Sequence, residues 1–141
     1  NTDLLLYMAA RSENIDVIKK TFNKKIILID RFTDSTIAYQ HFGMGVDLDL
    51  IKNLNKYLLK NIKVSFTFLN LVNKKNLKER LKQRKLLNRY DKFKISFYNK
   101  VQNGFLRLSK KQKNKYQLIN SNLDIDKNER LILSKIDKLI K

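Results

Sequence analysis

Three residues of this 141-residue sequence, Arg11, Asp30 and Arg31, combine type and spacing in a way that suggests chemistry. Leu4, Met8, Ile15, Ile18 and Phe22 form an apolar stripe with a 3.6-residue period, and Arg11 falls in its middle. Burying a guanidinium is costly unless it meets an acceptor. That acceptor could be an internal carboxylate, or the carbonyl or phosphate of a ligand. Asp30 and Arg31 directly follow Ile26, Ile27, Leu28 and Ile29, a short apolar run that suits a buried parallel strand. Ligands of open parallel sheets bind beyond the carboxyl ends of the strands. There an Asp can hold a metal or its water shell, and an Arg can grip phosphate with two parallel hydrogen bonds. The same dipeptide also fits a plain ion pair that closes a strand.

The elements that must position these residues alternate. Residues 3–24 read as an amphipathic helix, with Tyr7 one turn before Arg11 on nearly the same face. A second helix is expected over 47–60, capped by Asp47, with Leu50, Ile51, Leu54, Tyr57 and Leu58 facing inward. Residues 64–71 read as a second strand. A basic helix follows over about 74–86, and a longer one over about 91–113 carries Phe93, Phe97, Val101, Gly104 and Leu108 on one side. Residues 116–119 read as a third strand and 120–122 as a loop. A last helix starts at Asp126, whose pairing with Glu129 resembles a capping box. Strands alternating with helices predict an α/β layer fold with a parallel sheet in one domain spanning 1–141. Three strands are few for this much helix, and no strand precedes the first helix. The expectation is therefore the later part of a longer chain.

Composition narrows the chemistry. With no cysteine there is no disulfide, thiolate catalysis or cysteine-bound metal, and one histidine, His41, excludes a centre built from several His ligands. No apolar run approaches a membrane span, and Asp3 near the start argues against a signal peptide. The lack of cysteine leaves the compartment unconstrained, with a reducing cytoplasm as the expected default. The net charge of +18 is unevenly spread. Residues 71–115 carry 16 Lys and Arg against 2 Asp and Glu, whereas residues 1–70 carry 10 against 7. Such a stretch fits a nucleic-acid surface, a phosphate-binding lid, or a solvated lysine-rich helix face.

Longer blocks decide among these. LLLYMAARS at 4–12, followed by DRFTDSTIAYQ at 30–40, resembles the thymidylate kinases, nucleoside-monophosphate kinases of the P-loop class. The order continues with HFGMGVDLDL at 41–50, FTFL at 66–69, and ERLKQRKLLNRYD at 79–91, which resembles the family's lid. The resemblance implies a P-loop kinase-type three-layer α/β/α fold, helix-rich, and ATP-dependent phosphorylation of dTMP to dTDP with magnesium. It implies that Tyr7 stacks on thymine and Arg11 donates to a thymine carbonyl. Arg31 would hold the acceptor phosphate, and Asp30 would help arrange Mg2+ and the phosphates. Ser35, Thr36 and Gln40 would line the base pocket, with Tyr39 under the deoxyribose. On the ATP side, Arg84 and Arg89 would close over the donor phosphates from a lid at 74–91, and Asn120, Ser121 and Asn122 would lie near the adenine. Phosphoryl transfer asks for positioning and charge stabilisation, which Arg and magnesium supply without a covalent intermediate. The family also commonly forms homodimers through helix faces, and the helix at 3–24 is the candidate face; no nucleic-acid or membrane partner is implied.

The sequence departs from the family pattern in several places. The 141 residues contain no Gly-x-x-x-x-Gly-Lys-[Ser/Thr] loop, which cradles donor phosphates, so this stretch alone is expected to be inactive and its sheet incomplete in its first strands. Val64-Ser65 stands where Pro-Asp is frequent, Asn70 where an acidic residue is common, and Asn88-Arg89-Tyr90-Asp91 replaces the usual lid ending. The alternatives are a basic nucleic-acid-binding module using residues 71–115, or a degenerate, inactive kinase copy. Against the first, Phe93, Phe97 and Val101 follow a core period and do not interleave with lysines on an exposed face.

Overall fold

The computed structural model describes residues 2–86 and 89–140 of the chain. The chain divides into two compact units, one formed by 1–64 with 99–108 and the other by 65–98 with 109–141. No helix among the described residues is long and apolar enough to cross a membrane.

The first unit is built on α1 (Thr2–Thr21) and α3 (Leu48–Leu59), joined through a short helix α2 (Thr33–Thr36) that runs on as a π-helical segment over Ile37–Gly43. Asp3 in the first turn of α1 and Lys19 and Lys20 in its last match the helix dipole. The expected stripe is buried through Leu4, Met8, Arg11, Ile15 and Ile18. Phe22 does not join it: α1 ends at Thr21 in a hydrogen-bonded turn, and Phe22 is exposed. The core cluster is Leu4, Met8 and Ile51, covered by Ile37, Val46, Leu54 and Leu58. Asp47 caps α3 by accepting from the Leu50 amide at 2.7 Å, as its sequence predicts. The inward face of α3 differs from the expected one. Leu50 and Tyr57 are exposed, and Asn55 is buried one turn after Ile51.

Residues 26–29 form no strand, which corrects the sequence expectation. The sheet among the described residues consists of β1 (Thr67–Leu71) and β2 (Tyr116–Asn120) hydrogen-bonded to each other. Residues 26–29 therefore lack a ladder, and Leu28 is 78% exposed. An apolar run becomes a strand only where a neighbour takes its N–H and C=O groups.

The second unit contains that sheet, α4 (Lys74–Gln83), the first turn and the end of α5 (Ile95–Lys111), and α6 (Ile125–Ile140). The strands are parallel, with Thr67 opposite Tyr116 and Leu71 opposite Asn120, and Leu69 and Ile119 are buried on them. The α/β class with a parallel sheet thus holds, in a helix-rich chain with two strands among the described residues. The α5 helix starts later than its periodicity suggests because residues 90–92 form a separate 3-10 turn. The cap of α6 is also displaced. Asp124, not Asp126, accepts the backbone N–H groups of residues 126 and 127, so the 126/129 pair lies inside the helix.

Candidate functional site

Arg11 is held by four hydrogen-bond acceptors in the first unit. It is 8% exposed. One terminal nitrogen donates to Asn55 Oδ1 at 2.7 Å and, weakly, to Met8 Sδ at 3.6 Å. The other donates to Thr36 Oγ1 at 2.7 Å and to the Phe32 carbonyl at 3.2 Å. The Phe32 ring lies against the guanidinium at 5.4 Å. The acceptor expected for a buried Arg thus exists, but among the described residues no carboxylate is one of its partners. The cation joins α1, α2 and α3 through uncharged oxygens, and burial pushes its pKa down.

Arg31 lies at the end of residues 26–29 with φ of 62°, a left-handed conformation that a non-glycine residue adopts at a cost of about 1 kcal/mol or more. The guanidinium donates to the Tyr39 hydroxyl and sits over its ring at 5.3 Å. Burial lowers the pKa of Arg31, but Tyr39, then Asp30 and Tyr7, outweigh it and the balance is upward. Tyr7, Asp30 and Tyr39 therefore all act on the charge of Arg31. Tyr39 also packs edge-on against Phe105, with centroids 6.4 Å apart.

The π-helical segment carries Tyr39 and Gln40. π-Helical turns are rare and recur at functional sites. Here the segment closes through backbone bonds from Gly45 to His41 and from Val46 to Gln40. Gln40 is 1% exposed, Thr36 is buried, and Ser35 is half-buried beside it. Against the other side of the segment, Gly104 of α5 meets Phe42 so closely that a methyl group there would lie 2.5 Å from the ring. The sequence marked Tyr7, Arg11, Asp30, Arg31, Ser35, Thr36, Tyr39 and Gln40, and all eight belong to this one unit. It missed Asn55, whose signal was its position four residues after the inward-facing Ile51.

The residues assigned to ATP belong to the second unit. Asn120 Oδ1 accepts from the Asn122 amide at 3.0 Å, and Asn122 Oδ1 accepts from the Asn73 amide at 3.1 Å and from Asn76 Nδ2 at 3.0 Å. The Ser121 carbonyl accepts from Arg80, another residue the sequence left unassigned, at 2.6 Å. The 120–122 loop is thus fastened to α4. Arg84 is exposed at the C-terminal cap of α4, and Arg89 is exposed just before the 3-10 turn. Asn88 and the Asp91 side chain lie outside the described residues. Phe93 and Phe97 stack at 4.4 Å with Tyr90 beside both, so these aromatics of the basic stretch pack on one another.

Comparison with known proteins places the chain in a family. The thymidylate kinase family model matches residues 1–132, across both units and the basic stretch. Thymidylate kinase from Wolbachia pipientis (strain wPip) is 32% identical over 130 residues, 91% of this chain and 62% of that protein. The Geotalea daltonii enzyme of the same name is 34% identical over 135 residues, 89% of this chain and 63% of that protein. The crystal structure of thymidylate kinase from Ehrlichia chaffeensis superposes with a TM-score of 0.68 at 31% identity, covering 98% of this chain and 65% of that one. The chain thus spans less than two thirds of these relatives' length. Neither a free-standing nucleic-acid module nor a degenerate copy is favoured by matches of this extent. The chain belongs to the thymidylate kinase family.

Proposed function

We propose that the protein phosphorylates dTMP to dTDP with ATP, and that residues 1–141 form part of one kinase domain whose lid is 74–91. The observation that carries this reading is the pairing, within one unit, of a buried, unneutralised Arg11 with a strained, Tyr39-held Arg31. Arg11 offers a charge and a hydrogen-bond donor to a base carbonyl, and Tyr7, 44% exposed one turn away, offers an aromatic face for stacking. Ser35, Thr36 and Gln40 line the same pocket, and Tyr39 supports both the sugar and Arg31. Arg31 grips the acceptor phosphate. Arg84 and Arg89 stabilise charge on the transferring group, and the 120–122 loop faces the adenine.

Magnesium fits this donor set in one way only. No cluster of three His, Cys, Asp or Glu exists among the described residues, so an all-protein cage is excluded there. Asp30 is a single exposed carboxylate beside Arg31, which suits an ion held chiefly by phosphates and water. When bound, Mg2+ would neutralise developing phosphate charge. The residues of this chain orient the acceptor and its phosphate.

The same reading makes the protein a cytoplasmic homodimer. Leu5, Leu6 and Val17 are 60%, 65% and 63% exposed on α1, an apolar surface that a second copy would cover. A coupled assay of ADP release by the full-length protein tests the function: release should require dTMP. ADP release that is indifferent to dTMP, or absent with it, would contradict the proposal.

A further inference from the structure

Asn55, an acceptor for Arg11, occupies a costly place. It is a polar residue with modest helix propensity in the middle of α3, 7% exposed, one turn after the fully buried Ile51. Its only acceptor atom is spent on Arg11. Because a guanidinium can only donate, the 2.7 Å contact requires the amide oxygen to face Arg11. An aspartate there would accept the same hydrogen bond and add an opposite charge to the buried cation, which the neutral amide does not. The amide holds the guanidinium without cancelling its charge, and the other partners, Thr36 Oγ1, the Phe32 carbonyl and Met8 Sδ, are uncharged too. These bonds occupy the two terminal nitrogens. Arg11 Nε makes no hydrogen bond among the described residues.

We infer that Asn55 is a positioning residue for nucleotide recognition, fixing the aim of Arg11 while leaving its charge and its Nε–H to the ligand. The inference rests on the base-binding role proposed for Arg11. It separates charge from geometry. Asn55→Asp keeps shape and acceptor but neutralises the cation, whereas Asn55→Ser keeps neutrality but withdraws the acceptor.

Calorimetric titration of dTMP into the full-length protein tests this, with thermal denaturation in parallel. Asn55→Asp should raise the dTMP Kd at least about fivefold while the melting point stays level or rises. A merely structural Asn55 would not give that combination. Asn55→Ser should also weaken binding, with a lower melting point. The inference is overturned if Asn55→Asp binds dTMP within about twofold of the parent protein while Arg11→Ala weakens binding at least about fivefold. Should Asn55→Asp fail to fold, an unchanged Kd in Asn55→Ser overturns it equally. If Arg11→Ala itself binds dTMP like the parent, the base-binding role of Arg11 fails first, and the two failures are thereby told apart.

Discussion

Replacing Gly104 by alanine sets two effects of known size against each other. In an ordinary helix interior the change stabilises by about 1 kcal/mol, because glycine leaves more backbone entropy to lose. Gly104, however, faces Phe42. The added Cβ would stand 2.5 Å from Cδ2, 2.7 Å from Cγ and 2.9 Å from Cβ of Phe42. The last of these atoms is fixed to the backbone, so rotating the ring cannot relieve the clash and the π-helical segment itself must move. Overpacking of this kind costs about 1–3 kcal/mol. The balance is a loss of about 1 kcal/mol, or a fall in melting point of about 3 °C for a chain of this size. Because Tyr39 and Gln40 ride on the same segment, the dTMP KM should rise about threefold or more. Asn103→Ala, at an exposed neighbour in the same helix, should show the helix-propensity gain alone. Thermal denaturation and steady-state kinetics of the full-length variants suffice. A Gly104→Ala protein at least as stable as the parent, with an unaltered dTMP KM, would refute the packing argument.

Three further outcomes follow from the site. Tyr39→Phe keeps the ring over Arg31 but removes its hydrogen bond, so kcat/KM for dTMP should fall about 3- to 10-fold, checked by kinetics at saturating ATP. Arg84→Ala and Arg89→Ala should each lower kcat at least about tenfold, whereas Lys110→Ala and Lys111→Ala should leave it nearly unchanged; equal losses in all four would remove the lid assignment. Asp124→Ala should destabilise α6 by about 0.5–2 kcal/mol in denaturant titration, and Asp126→Ala by less, since Asp124 supplies the cap.

What could be read from the residues alone divides along physical lines. Helices with one buried stripe were legible: α1 buries Leu4, Met8, Arg11, Ile15 and Ile18 as their period requires. The sheet was less so, because a strand is defined by its neighbour. Residues 67–71 and 116–120 find each other, and the equally apolar 26–29 does not. Arg11 announced itself by charge on an apolar stripe, but its acceptors did not, since Asn55, Thr36 and the Phe32 carbonyl come together only through the packing of three helices. The left-handed backbone of Arg31 and the π-helical register after Thr36 leave no mark in composition or periodicity. Apolar content pointed Leu50 and Tyr57 inward, yet the side of α3 that meets α1 selects Ile51 and Asn55.

On the proposed function, the unit holding Arg11 and Arg31 receives the acceptor nucleotide. The most direct test is steady-state kinetics of full-length Arg11→Ala, with dTMP varied at saturating ATP and then ATP varied at saturating dTMP. Losing a donor in a buried pocket costs roughly 1–3 kcal/mol. The dTMP KM should therefore rise about 5- to 100-fold and the ATP KM stay almost level. An enzyme whose ATP KM moves while its dTMP KM stays fixed would put Arg11 on the donor side and contradict the account.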